Sequence, residues 1–215
     1  MRVITGSARG HPLKVPRSAA TRPTPARAKE AMFSSLGDAV IGARVLDLFA
    51  GSGAFGIEAL SRGSAEAVFV EADRQACLTI EANLQSTRLA QKAVVMGMDA
   101  AHALESMARA GSAFDIIFAD PPYLKSNVEC RMSNVESSKL KPARRPSKIT
   151  NRKSQMDRDW KQFLLQSVEL KGTLAPEGYL LVEYDKRDTG LDSPYFKPQK
   201  DFRFGDTVIT LLRHV

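Results

Sequence analysis

Asp120-Pro121-Pro122-Tyr123 sets an acid, two rigid prolines and an aromatic ring in consecutive positions. The preceding Phe114-Asp115-Ile116-Ile117-Phe118-Ala119 is a short apolar run of the kind that makes a buried strand, so the tetrapeptide is expected at a strand end. There a carboxylate and a proline carbonyl can each accept one N–H of a planar amino group. Proline has no backbone N–H, so neither Pro121 nor Pro122 competes as a donor. The Tyr123 ring can stack on the flat ring that carries the amine. These four residue types suit the capture of an exocyclic amine on a nucleobase.

A second cluster is Leu46-Asp47-Leu48-Phe49-Ala50-Gly51-Ser52-Gly53-Ala54-Phe55-Gly56. Glycines at a strand-to-helix turn let the backbone approach a ligand closely, and the helix N-terminus favours negative groups. Gly51, Gly53 and Gly56 spell G-x-G-x-x-G, and Glu71 lies 20 residues after Gly51, where an acid can bind ribose hydroxyls. NAD and S-adenosylmethionine both present an adenosine ribose to an acid at the tip of the second strand. The spacing alone leaves both open.

The elements that must position these residues alternate. Strands are predicted at Val45–Phe49, Ala67–Val70, Ala93–Met96, Phe114–Ala119 and Tyr179–Tyr184, and helices at Ala54–Arg62, Asp73–Ser86, Ala100–Ala110 and Trp160–Leu174. Such alternation argues for an α/β fold, a mostly parallel sheet with helices on both faces. Phe202–Phe204 and Thr207–Leu212 flank Gly205-Asp206, a two-residue turn that ends the sheet in an antiparallel hairpin. Thr24 and Pro25 introduce a helix over Ala26–Leu36, and Arg2–Thr5 and His11–Val15 read as an N-terminal hairpin or arm. In open α/β sheets a ligand lies beyond the carboxyl ends of the strands, where strand order reverses. If the first and fourth strands are neighbours there, Asp120 stands beside the Gly51 loop. A dehydrogenase has no evident use for an acid-Pro-Pro-aromatic corner at that place.

Charge is concentrated in two islands. Met1–Lys29 holds seven Lys/Arg and no acid, and Lys125–Arg158 holds ten Lys/Arg against three acids, while the remaining chain is acidic. An acidic body with basic islands is built to grip a polyanion. Ser126–Asp157, rich in Ser, Asn, Lys and Arg, shows no sustained apolar period and reads as a largely disordered insertion. No apolar run approaches the roughly 18 residues of a membrane span, and Met1–Gly10 lacks a signal-peptide core. Cys77 and Cys130 form no C-x-x-C, and His11, His102 and His214 are scattered. No metal site is expected, and the cysteine usage suits a reducing, cytoplasmic setting. Cys77, Trp160 and Met32 fall in apolar helical patterns and are assigned to the core.

Several motifs occur in order: Arg22-Pro23-Thr24 with Arg27 and Glu30, Asp47 through Ala54, Glu58-Ala-Leu-Ser-Arg-Gly63, Asp120 through Tyr123, and Phe204-Gly-Asp-Thr207. The tetrapeptide resembles the (D/N)-P-P-(Y/F) signature of S-adenosylmethionine-dependent amino-methyltransferases. The whole set is similar to the bacterial 16S ribosomal RNA (guanine-N2)-methyltransferase family of the RsmD type, over nearly all the chain except 125–158. The Arg-Pro-Thr segment and the Phe-Gly-Asp-Thr hairpin are its more family-specific parts.

The resemblance implies a class I methyltransferase (Rossmann-like) sheet of seven strands with the last antiparallel, and S-adenosylmethionine as cofactor. It divides the chain into a basic arm and helix over 1–36 and a methyltransferase domain over 37–215 carrying the insertion. Gly51 and Gly53 would cradle the methionine part of the cofactor, with Phe49 and Ser52 beside them and Asp47 toward its amino group. Glu71 would take the ribose hydroxyls and Asp99 the adenine amine, unless Asp99 simply caps the helix that follows. Asp120, Pro121, Pro122 and Tyr123 would hold and stack the target guanine. Arg2, Arg9, Lys14, Arg22 and Arg27 would contact small-subunit ribosomal RNA, free or in an assembling 30S particle, from a monomeric enzyme. Three rivals stay open: a DNA adenine-N6 or cytosine-N4 methyltransferase, since the tetrapeptide serves any exocyclic amine, then an NAD-dependent oxidoreductase, then a non-catalytic RNA-binding module.

Overall fold

The strand–helix alternation is realised as one seven-stranded sheet. The computed structural model describes residues 1–16, 26–122, 159–188 and 190–215. The elements run α1 (Ala26–Leu36), β1 (Arg44–Leu48), α2 (Ala54–Ser61), β2 (Glu66–Val70), α3 (Arg74–Thr87), β3 (Ala93–Met96), α4 (Ala100–Arg109) and β4 (Phe114–Ala119). They continue with α5 (Trp160–Gln166), α6 (Val168–Thr173), β5 (Leu174–Asp185), β6 (Phe196–Phe204) and β7 (Thr207–His214). Strand order is β3-β2-β1-β4-β5-β7-β6. The pairs from β3 across to β5 are parallel, and β7 runs antiparallel to both neighbours. The antiparallel strand therefore lies inside the sheet, and β6 forms the edge.

Period-two alternation gives each strand two apolar faces. Val45, Ala67, Phe69, Ile116 and Phe118 face one core with α1, α2 and α3, whereas Leu46, Leu48, Val68, Val70, Ile117 and Ala119 face the other with α4, α5 and α6. In the first core Phe55 stacks on Phe118 and Phe33 stacks on Phe55, at ring distances of 4.2 and 4.7 Å, which seats α1 and α2 on the sheet. Met32, Cys77 and Trp160 are buried, as their helical patterns predict.

Two boundaries differ from the sequence reading. The helix predicted over Trp160–Leu174 breaks at Ser167, which is extended (φ −75, ψ 121) and accepts the Leu170 N–H at 3.0 Å. Serine's side-chain oxygen competes as a cap, so two short helices replace one. Leu174 already belongs to β5, and the stretch through Pro176 and Gly178 continues that strand. The edge strand is also longer than predicted, starting at Phe196 instead of Phe202. Its Lys197-Pro198-Gln199-Lys200-Asp201 segment is exposed, and a register irregularity falls between Pro198 and Lys200. An edge strand tolerates such residues because only Phe196 and Phe202 must reach the core. The Thr24-Pro25 start and the 125–158 insertion lie outside the described residues.

The N-terminal hairpin is docked on α2. Val3 and Leu13 are buried, and Arg2 bridges Pro12. Glu58, fully buried on α2, accepts the Ile4 and Thr5 amides at 2.8 and 3.0 Å. The same carboxylate takes Lys29 Nζ at 3.0 Å and Arg62 Nε at 2.9 Å, so its burial is offset by two cations and two amides. Burial pushes the Glu58 carboxyl up, but Lys29, the Ile4 amide and Arg62 overcome that and hold it below its ordinary value.

Candidate active site

β1 and β4 are adjacent and in register, with Leu48 opposite Ala119. The glycine loop and the Asp120 segment therefore leave the same end of the sheet side by side. This is the switch point, since β2 and β3 follow on one side of β1 and β4 and β5 on the other.

The loop after β1 is held in left-handed backbone at Phe49 (φ 61), Gly51 (φ 55) and Gly53 (φ 73). At Phe49 such geometry costs a non-glycine residue about 1–3 kcal/mol. Its ring, half-buried, packs edge-on against Trp160 at 4.9 Å, which helps to fix it there. Gly53 leads directly into α2, and a Cβ there would sit 3.2 Å from Ile80. Gly56 is needed for a different reason: a Cβ would fall 2.4 Å from the Phe69 ring, so this glycine permits the close approach of α2 to β2.

Asp47, 2% exposed at the end of β1, accepts the Gly56 N–H at 3.0 Å. Burial pushes its carboxyl up to about 8, against the Gly56 amide and with the Glu71 charge adding to the rise. An ammonium group arriving beside it would reverse that penalty. Glu71, just past β2, accepts the Gly51 amide at 2.9 Å and the Asp73 amide at 2.8 Å, one on each oxygen. Each oxygen has a second lone-pair direction for a hydroxyl donor. Asp99 caps α4, accepting the Ala101 and His102 amides at 2.9 and 3.4 Å, which is the helix-capping role weighed for it from sequence. Asp73 caps α3 through Ala76 at 2.9 Å.

On the other side of the switch point Asp120 is partly exposed, Pro121 buried and Pro122 exposed; Tyr123 lies outside the described residues. Register places Asp120 at the strand tips next to Glu183, because Ala119 pairs with Val182. Glu183, 3% exposed, was not singled out from sequence. Burial, the Glu183 charge and the Asp47 charge, in that order, hold the Asp120 carboxyl well above its ordinary value. Among the described residues no group of three or more His, Cys, Asp or Glu side chains could hold a metal ion.

Of the basic candidates, Arg2, Arg9 and Lys14 on the docked hairpin and Arg27 at the start of α1 are exposed, and Arg22 lies outside the described residues. Sequence reasoning assigned no role to Lys29, Glu58, Ser61 and Asn83, which fasten the arm. The signal was there: each is a polar residue on an otherwise buried helix side.

The sequence profile of the family described as Conserved hypothetical protein 95 matches residues 1–147. The chain belongs to that family. It is 41% identical over 140 residues to YlbH of Bacillus subtilis, an rRNA methyltransferase candidate, covering 65% of this chain and 76% of the relative. It is 36% identical over 138 residues to ribosomal RNA small subunit methyltransferase D of Escherichia coli K12, covering 64% and 68%. Among solved structures, the methyltransferase candidate yhhF of Escherichia coli superposes with a TM-score of 0.69 at 27% identity, over 100% of this chain and 97% of that one. The resemblance read from the motifs thus holds, and the fold is the class I methyltransferase sheet. A dinucleotide-binding sheet has six strands in the order 3-2-1-4-5-6, without the inserted antiparallel strand of this family member. Among the described residues no helix is long and apolar enough to cross a membrane.

Proposed function

We propose that this protein methylates small-subunit ribosomal RNA from S-adenosylmethionine, and that the acceptor is the exocyclic N2 of a guanine. The observation that carries this reading is the adjacency of β1 and β4, which sets an acid-Pro-Pro segment beside a glycine loop at one sheet end. Relatives named for ribosomal RNA methylation support the substrate class.

The cofactor is S-adenosylmethionine, which when bound supplies a methyl group on a sulfonium, an electrophile needing no metal. Asp47 takes its ammonium, the Gly51–Gly53 turn its methionine backbone, and Glu71 its ribose. Guanine N2 is a poor nucleophile because its lone pair is delocalised into the ring. Asp120 and the Pro121 carbonyl accept its two N–H groups, which favours a pyramidal nitrogen with the lone pair free. Alignment and the Asp120 charge, set against positive charge developing on nitrogen, supply most of the acceleration. Tyr123 stacks on a base withdrawn from its helix. Exposed arginines and lysines of the 1–36 arm hold the RNA backbone, and the 37–215 domain performs the transfer.

The test is to incubate the protein with methyl-labelled S-adenosylmethionine and small-subunit RNA or particles from a strain lacking the enzyme, then digest to nucleosides. Label in N2-methylguanosine at one position is the expected result. Label in adenosine or cytidine, or transfer only to DNA, would overturn it.

A further inference from the structure

Asn83 is 1% exposed on the core side of α3, and its amide makes three hydrogen bonds to two backbone segments. Its Oδ1 accepts the Lys14 N–H at 2.8 Å, and its Nδ2 donates to the Lys14 carbonyl at 3.0 Å and the Ser52 carbonyl at 2.9 Å. The reversed amide would face donor to donor and oxygen to two carbonyls, so the orientation is fixed by its partners. Ser52 is the residue between Gly51 and Gly53, the turn whose left-handed backbone shapes the candidate cofactor cradle. A single buried amide thus joins the N-terminal arm to that turn.

Three more hydrogen bonds hold the same region, two of them from Lys29 on α1. The Ser52 hydroxyl donates to Met1 Sδ at 3.7 Å, and Lys29 Nζ donates to the carbonyls of Arg2 and Ala54, each at 3.4 Å. One limb of the arm therefore meets the turn directly through Met1, and the other meets it through Asn83.

We propose that Asn83 is a positioning residue that couples the arm to the glycine loop, so that RNA held on the arm tightens the grip on the cofactor. This rests on the reading of the arm as an RNA contact and the loop as the cofactor cradle. If the arm lifts at Lys14, Asn83 loses two of its three bonds, and a buried amide left unpaired is costly. The amide then turns toward other partners, and the Ser52 carbonyl loses its donor. RNA that binds the docked arm stabilises the loop in its docked shape. Coupling of this kind is reciprocal, so the cofactor must also tighten RNA.

The test uses the full chain and two ligands, S-adenosylhomocysteine and deproteinised small-subunit ribosomal RNA at fixed salt. Calorimetry gives the S-adenosylhomocysteine Kd with and without saturating RNA, and the ratio of the two is the coupling. Wild-type protein should show a ratio of about fivefold or more. Asn83→Leu, close in size but without hydrogen bonds, should bind S-adenosylhomocysteine about tenfold more weakly and bring the ratio to one. Asn83→Asp keeps the acceptor for Lys14 N–H but not the donor to Ser52, and should lose the coupling as well. A strut that merely supports the fold would lower the melting temperature and leave the ratio unchanged; that result in a folded variant overturns the inference. Should both variants unfold, wild-type hydrogen exchange decides: RNA alone must slow exchange at the Gly51–Gly53 amides, and no change there overturns it. A wild-type protein that binds no S-adenosylhomocysteine would instead overturn the cofactor reading beneath, in the first titration.

Discussion

Glu71 and Gly51 are bonded across the tips of the neighbouring strands β2 and β1: the Glu71 Oε2 accepts the Gly51 N–H at 2.9 Å. The acid proposed to take the ribose therefore also braces the loop proposed to receive the methionine end. Glu71→Ala removes both functions. Cofactor affinity should fall by roughly 1.5–3 kcal/mol through lost charge-assisted hydrogen bonds. Glu71→Gln, which can still accept the Gly51 amide, should lose less. Calorimetry with S-adenosylhomocysteine measures both, and equal affinity in all three proteins would make Glu71 a loop brace only.

Asp47 gives a pH signature. Its carboxyl is raised from 3.8 to about 8 by burial, so in the free protein near pH 7 it carries a proton. An ammonium seated beside it would lower that value, and binding would then release a proton. S-adenosylhomocysteine titrations near pH 7 should release close to one proton, read from buffers of different ionisation enthalpy, and affinity should rise with pH toward about 8. Asp47→Asn should abolish the release. Folding reads the same group: its stabilising share is full below 3.8 and is lost as pH rises through about 8. Asp47→Asn should flatten that slope in thermal melts.

Asp120 must be ionised to accept an amine N–H, yet burial and the Glu183 charge hold its proton on, and Asp47 adds to this once it is itself ionised. Single-turnover methyl transfer should therefore rise with pH along an acid limb. Glu183→Gln removes one opposing charge and should shift that limb to lower pH. Asp120→Ala should cut the transfer rate by at least ~10²-fold while S-adenosylhomocysteine affinity changes little. Comparable turnover in Asp120→Ala would remove the residue from the mechanism.

Much of this site could be read from sequence because its parts are local. The Gly51–Gly56 spacing, Glu71 twenty residues on and Asp120-Pro121-Pro122 after an apolar run each occupy one strand-to-loop junction. Right-handed βαβ crossovers fix the face each helix takes but not the strand order, so the adjacency of β1 and β4 stood in the sequence only as a condition that the sheet meets. What escaped depends on distant partners. Glu183 matters because Val182 pairs with Ala119, and β6 extends to Phe196 because β7 is there to pair with it. Asn83 bonds Lys14, 69 positions away in sequence, and only a polar side chain among Ile80, Leu84 and Thr87 hinted at it.

The arm's docking turns on Gly6. It adopts φ +88, and a Cβ there would lie 1.8 Å from the Ser61 carbonyl oxygen, which backbone cannot vacate cheaply. That carbonyl accepts the Ser7 amide at 2.8 Å, and Ser61 Oγ accepts from Ala8 at 3.0 Å while donating to the Thr5 carbonyl at 2.6 Å. Gly6→Ala should therefore lift the hairpin off α2. Gly10 is the control, with φ +80 but open space around it, so Gly10→Ala brings only backbone strain of about 1 kcal/mol. Gly6→Ala should cost about 2 kcal/mol more than Gly10→Ala, lowering Tm by a further ~4–8 °C for a chain of this size. Arg2, Arg9 and Lys14 would then lose their fixed places, and each lost phosphate contact flattens the salt dependence of RNA binding by about 0.7 in log–log slope. The Gly6→Ala slope should be shallower by about 2 if all three contact RNA. An unchanged slope, with Tm lowered as expected, would show that the docked arm supports the fold without touching the RNA.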